Sequence, residues 1–287
     1  MELDRRFATV LKSLSDAPLA MAAAIRRKDG ISEVPDVLIF SPAFTTMDIH
    51  RPASLLALTS THWAIAIDSS KSAEKPVADE AVSAIGCSYD QTLAVDLSIL
   101  MLDGRLAIHG NGCNFSGFII YFNTVMEKIY RQAAFFALDQ ITRTAGGSGE
   151  SLPQKEQLTR PKLPMKFNSA LDRFTPPGRT VDSYTYWTAV IGGFHRQLAP
   201  AAMLVRTERE LILISDEARS VGLFRSPQQN LGYVVTYLPR KRIRSVVCRS
   251  GTKFAALEIT LLVEGTTELI TILVPPAAGS TVASIAT

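Results

Sequence analysis

At 287 residues, 47% hydrophobic and 20% charged, the chain has a globular composition and room for two domains of ordinary size. Its formal net charge of +3 is too small for a dedicated nucleic-acid binder, whose basic residues would dominate a face. Cys87, Cys113 and Cys248 are odd in number and widely spaced, which excludes a disulfide framework and points to a reducing compartment.

The N-terminal stretch predicts helices. Phe7, Val10, Leu11 and Leu14 fall at i, i+3, i+4 and i+7, one helical face. Asp16 then serves as an N-cap, Pro18 suits the following first turn, and Arg26, Arg27 and Lys28 occupy the favourable C-terminal end before Gly30. Acidic residues ahead of Arg5 and Arg6, and the break at "SLSDAP", argue against a signal peptide. No apolar run reaches the ~18–20 residues that span a bilayer. Residues 1–34 therefore read as a helical segment packed on the body of a cytoplasmic chain, with peripheral contact at a membrane left open.

Residues 35–142 form a block rich in strand signals. Its hairpin "SLLALTSTHWAIAIDS", residues 54–69, returns 148 residues later as "AMLVRTERELILISDE", residues 202–217. At that offset Pro200 lands on Pro52, Ala201 on Ala53, Thr207 on Thr59, Asp216 on Asp68 and Tyr237 on Tyr89. Apolar run, threonine, polar corner, apolar run and aspartate recur in both, which indicates an internal repeat of one domain type. Alternation such as Leu257, Ile259 and Leu261 against Glu258 and Thr260 gives strands with one buried face, and "LDGR" and "VEGTTE" supply hairpin turns. The first block closes on a helix capped by Asn123, with Val125, Ile129, Ala133 and Phe136 as its apolar stripe and Glu127, Lys128, Arg131 and Asp139 on the wet side. Residues 143–182 hold five prolines and four glycines and read as an extended linker. The second block, 183–287, ends in "PAAGSTVASIAT", a weak helix former.

These hairpins, the strand ending near "VTYLPRKRIRSV" and the paired strands "LEITLLVEGTTELITI" resemble the bacterial PH-like and GRAM-like domains. The resemblance covers roughly residues 35–142 and 183–287. It implies a mainly β, α+β fold: two β-sandwich or small-barrel domains, each of seven strands in two near-orthogonal sheets with a capping helix. Because the second block lacks an obvious C-terminal helix, the N-terminal helical pair is a candidate cap for it. PH domains that grip phosphoinositides place basic residues around the first hairpin loop, and neither copy shows a clear basic motif there.

The densest basic run is "PRKRIR", with Arg240, Lys241, Arg242 and Arg244. It reads as an anion site for lipid headgroups or an acidic protein surface, or more plainly as a solvated strand edge whose cations discourage edge pairing. Arg26, Arg27 and Lys28 carry the same double reading, with helix-terminal charge as the plainer one. His109 and Cys113 in "HGNGC" fall short of the four ligands of a structural zinc and suit a hairpin tip better. The four histidines, His50, His62, His109 and His195, have no catalytic spacing. "GGSGE" lacks the strand and helix a nucleophile elbow needs, and no phosphate-binding glycine loop is present. The aromatic run Tyr184, Tyr186 and Trp187 suits a pleated, half-buried surface, as does Trp63. The expectation is a non-catalytic binding or scaffold protein without cofactor or metal, engaging a protein partner or an anionic membrane surface. A homo-oligomer is left open, and the competing reading is a hydrolase whose site assembles only in the fold.

Overall fold

A computed structural model describes residues 7–46, 49–68, 81–111, 118–144, 163–192, 197–216 and 232–286, and the chain divides into two compact units, Met1–Ala145 and Gly146–Thr287. Both are mainly antiparallel β.

In the first unit, strands β1 (Thr9–Val10), β2 (Val37–Ser41), β5 (Ala53–Leu58), β6 (His62–Asp68) and β7 (Val82–Ser88) form one sheet in that order. A small hairpin, β3 (Phe44–Thr46) and β4 (Ile49–Arg51), interrupts the path from β2 to β5. Strands β8 (Thr92–Leu100), β9 (Asp103–Gly110) and β10 (Ile120–Asn123) pair in sequence. Helix α1 (Leu19–Arg26) lies on the outer face of β5, β6 and β7, and helix α2 (Glu127–Thr144) packs on β8 and β9. The runs "LLAL" and "WAIAI" are continuously apolar because both faces of that sheet are covered. The face under α1 is built of Ala57, Ala64 and Ala66 beside Leu38, Phe40 and Leu55; it meets Met21, Ala22, Ala24 and Ile25. Alanine on both sides lets helix and sheet approach closely, so the alanine-rich N-terminus is a packing seam.

The second unit repeats this order. Helix α3 (Met165–Phe174) comes first; β11 (Val181–Trp187), β14 (Ala202–Thr207), β15 (Glu210–Asp216) and β16 (Gly232–Pro239) pair in sequence, with a small hairpin β12 (Val190–Ile191) and β13 (Gln197–Ala199) again inserted after the first strand. Strands β17 (Ile243–Arg249), β18 (Ala255–Val263) and β19 (Thr266–Val274) form a three-stranded sheet, and α4 (Gly279–Ala286) closes the unit. Phe167, Ala170, Leu171 and Phe174 of α3 are buried. Phe167 packs against the Tyr186 ring, and the Tyr237 hydroxyl donates to the Phe174 carbonyl at 2.9 Å.

The hairpin register repeats at the 148-residue offset: Leu55 faces Ala66, and Met203 faces Ile214. The shared threonine has a physical cause. Thr59 Oγ1 accepts from the His62 N–H at 3.0 Å and donates to its carbonyl at 3.0 Å; Thr207 Oγ1 accepts from the Glu210 N–H at 2.9 Å and lies 3.2 Å from its carbonyl. One side chain thereby locks each tip. The repeat then slips. Asp68 faces Val82 but Asp216 faces Tyr233, separations of 14 and 17 residues, so Tyr237 corresponds to Gly86 and not to Tyr89.

Several expectations are corrected. Residues 7–14 are not a helix: Thr9 and Val10 pair with Phe40 and Ile39, and Phe7 and Val10 are exposed while Leu11 and Leu14 are buried. The open edge of β2 wins over the helical spacing. Asp16 belongs to a capping box with Ser13 that closes a 3₁₀ turn, Leu14–Asp16, and α1 begins after Pro18. That N-terminal segment covers the first unit, whereas the second has helices of its own. Within the segment read as a linker, residues 165–174 are helical and β11 starts at Val181. The weak C-terminal sequence does form α4, held by burial of Val282 and Ile285 more than by propensity. The α2 stripe is turned by about one residue: Tyr130, Ala133, Ala134, Ala137, Leu138 and Ile141 face inward, Glu127 is buried against Arg131, and Val125 is 71% exposed. Stacking of Phe122 on Tyr130, with centroids 4.0 Å apart, sets that rotation. Asn123 caps as expected, accepting from the Val125 N–H at 3.1 Å.

The turn "EG" holds Gly265 at φ 78, as a two-residue hairpin requires. In "MLDGR", however, the turn is Met101–Leu102, because Leu100 faces Asp103 and Gly104 lies in β9. Gly104 is needed for space: a Cβ there would overlap the Phe122 ring. Gly104→Ala is expected to lower stability by about 1–3 kcal/mol through overpacking, read as an earlier urea midpoint with an unchanged slope.

Candidate functional site: a basic corner in the second unit

The run "PRKRIR" is the corner where the chain leaves β16 for β17. Arg240–Arg242 form a 3₁₀ turn and Arg244 is the second residue of β17. The four cations are not equivalent. Arg240 is half-buried; its N–H donates to the Arg209 carbonyl at 2.8 Å, and its Nη1 donates to the Thr207 and Glu208 carbonyls, each at 3.4 Å. Burial, then the neighbouring Arg206, pulls its pKa down, so it is a structural clamp on the β14–β15 tip. Arg242 is half-buried, and Lys241 and Arg244 are exposed.

The fold adds cations that the sequence scatters. The Arg240 clamp brings Arg206 and Arg209, which flank the β14–β15 tip, to this corner. Arg179 reaches the same tip from ahead of β11, with Nε 3.1 Å from Glu210 Oε1 and 3.2 Å from Oε2. Among the described residues, Arg179, Arg206 and Arg240 thus reach this tip, Lys241, Arg242 and Arg244 follow directly in the chain, and the carboxylates of Glu208, Glu210 and Asp182 are each engaged. Glu210 is fully buried against Arg179 and accepts from Thr207 Oγ1 at 2.8 Å; Glu208 accepts from the Thr180 N–H at 2.9 Å; Asp182 lies 3.9 Å from Arg206. The corner therefore presents a cationic excess to an anion. Sequence reading found its contiguous part and missed Arg179, Arg206 and Arg209. The one available signal was "RTERE", the second copy of the repeated tip.

The other basic run is spent locally. Arg26 pairs with Glu33 at 2.6 Å, and Arg27 is the C-cap of α1. Trp187 and Trp63 are core residues, the latter donating from Nε1 to Thr92 Oγ1 at 2.9 Å. Two polar clusters lie in the first unit. Arg51 and Arg105 both reach Asp103 Oδ2, at 2.6 and 3.1 Å, with Arg51 stacked on Tyr121. His109 Nε2 lies 2.7 Å from Asp96 Oδ2, and by register Ser98 follows Asp96 on the same face, on the side away from His109. That order puts the carboxylate where a triad needs the imidazole, so the set does not form a nucleophile–base pair. Cys113, His195 and "GGSGE" lie outside the described residues. Among the described residues no three His, Cys, Asp or Glu side chains gather as metal ligands, and no helix is long and apolar enough to cross a membrane.

Comparison with known proteins gives no relative: no family model, no curated protein and no solved structure matches this chain.

Proposed function

We propose that this chain is a non-catalytic binding protein made of two PH-like, GRAM-like domains in tandem, and that its second domain docks on an anionic membrane surface through the basic corner. The observation that carries this is the corner itself: Arg240 is bonded to the β14–β15 tip, whose Glu208 and Glu210 carboxylates are engaged, and the exposed Lys241 and Arg244 follow it directly in the chain. The domain reading is supported by the order common to both units: a helix, four sequentially paired strands (to which the short β1 adds an edge in the first unit), three strands, then a helix. Near an anionic leaflet each basic residue contributes about 1 kcal/mol, enough in sum for reversible, salt-sensitive attachment.

The test is flotation of the full chain with neutral and with phosphatidylserine-containing vesicles at low and physiological salt. Binding is expected only to the anionic vesicles, weakening as salt rises. Lys241→Ala/Arg244→Ala, which removes exposed cations and leaves the Arg240 clamp, should weaken it roughly thirtyfold, two residues at about 1 kcal/mol each. No flotation under any condition would end the membrane reading.

A protein partner is the second reading, favoured by one observation. Val247, Leu262 and Leu269 share the outer face of the β17–β18–β19 sheet and are 46%, 37% and 57% exposed.

A further inference from the structure

The connection between β8 and β9 breaks two rules at once. A two-residue hairpin turn needs positive φ, and glycine, asparagine or aspartate normally supply it. Here the residues are Met101 and Leu102, and Met101 sits at φ 49, a left-handed conformation disfavoured for a long side chain. Both side chains are also in water, 48% and 54% exposed. Glycine would relieve the backbone and a polar residue the hydration, yet the tip carries neither.

Val125, 71% exposed, extends the same apolar point, because Thr124 Oγ1 donates to the Met101 carbonyl. The charges around it are one-sided. Asp103 is buried under Arg51 and Arg105, and Glu127 is buried against Arg131, whereas Arg105 keeps 37% of its side chain exposed and Lys128 is exposed. The result is a convex apolar point with a cationic rim.

We infer that the Met101–Leu102 tip, with Val125 beside it, enters the interfacial layer of an anionic bilayer. A convex point needs a surface that yields around it, and the cationic rim complements an anionic leaflet. The contact adds an apolar anchor in the first unit to the electrostatic one proposed for the second, and rests on the same reading that a membrane is engaged. Its signature differs: transfer of apolar surface is not screened, so it supplies the part of binding that survives salt.

The experiment uses the full chain with phosphatidylserine-containing vesicles, some carrying brominated lipid as a quencher. Leu102→Trp is expected to shift its emission to the blue on binding and to be quenched, beyond the signal of the parent with its buried Trp63 and Trp187. Met101→Gly/Leu102→Ser should bind roughly tenfold or more weakly at physiological salt while melting no lower than the parent, since glycine suits the positive φ. Vesicle binding without quenching, and with Met101→Gly/Leu102→Ser at parental affinity, overturns the tip and leaves the basic corner standing. Quenching that persists undiminished in Lys241→Ala/Arg244→Ala upholds the tip and unseats the corner. No binding to any vesicle overturns both.

Discussion

Replacing Glu210 with alanine is expected to lower the stability of the folded chain by roughly 3–5 kcal/mol. Glu210 is fully buried at the β14–β15 tip, and the Arg179 side chain that meets it is only 5% exposed. Removing the carboxylate leaves the guanidinium in a dry site without its counter-ion. Arg179→Met/Glu210→Leu, which removes both charges, should by contrast be nearly neutral. Urea midpoints of the three proteins decide the matter, and an unchanged Glu210→Ala midpoint would mean that water reaches the pair. The carboxyl also sets a pH dependence. Burial lifts it above its ordinary 4.5, against the pull of Arg179 and Thr207, so the folded chain holds this proton more tightly than the unfolded chain. Its stabilising contribution is full below pH ~4.5 and declines as the pH rises through the folded value. Glu210→Gln should flatten that decline.

The second large effect is expected at Phe174. Its ring is fully buried, edge-on to Tyr233 with centroids 5.4 Å apart, and its carbonyl accepts from Tyr237. Phe174→Ala should lower stability by about 3–5 kcal/mol, while Met165→Ala in the same helix, at a side chain 86% exposed, should change it by less than about 0.5 kcal/mol. Were these residues an extended linker, neither substitution would register. The pair of measurements therefore decides whether α3 belongs to the second unit.

That helix also shows where sequence reading stops. Phe167, Ala170, Leu171 and Phe174 stand at i, i+3, i+4 and i+7, a pattern open to inspection. It was hidden because prolines and glycines on both sides dominate a forty-residue composition. The N-terminus failed in the opposite way: the spacing of Phe7, Val10, Leu11 and Leu14 is helical, but a free strand edge captured Thr9 and Val10. Strands fared better, since alternation in β18 and the doubled apolar runs of β5 and β6 follow directly from having one or two covered faces. Part of the basic corner was legible as a contiguous run. Arg179, Arg206 and Arg209 were not, because only the Arg240 clamp brings Arg206 and Arg209 to it and only the buried Glu210 holds Arg179 there. The Met101–Leu102 turn was misplaced by two residues, as "DG" is the stronger turn signal and only packing beneath Phe122 explains why that glycine lies in the strand.

The locked tips of β5–β6 and β14–β15 have a consequence for how the two halves can diverge. In each, the threonine hydroxyl accepts from the main-chain N–H of the residue three positions on, a bond that does not depend on the side chain there; at the second tip it also donates to the Glu210 carboxylate. One half has placed a histidine at that position, its ring Nδ1 2.9 Å from the Thr61 hydroxyl; the other has placed a buried acid that anchors an arginine. At the first tip form and side-chain chemistry are held by different atoms, whereas at the second one hydroxyl serves both. At position 62 the hairpin lock is therefore independent of the side chain, while at position 210 the side chain is drawn into both the lock and the interior.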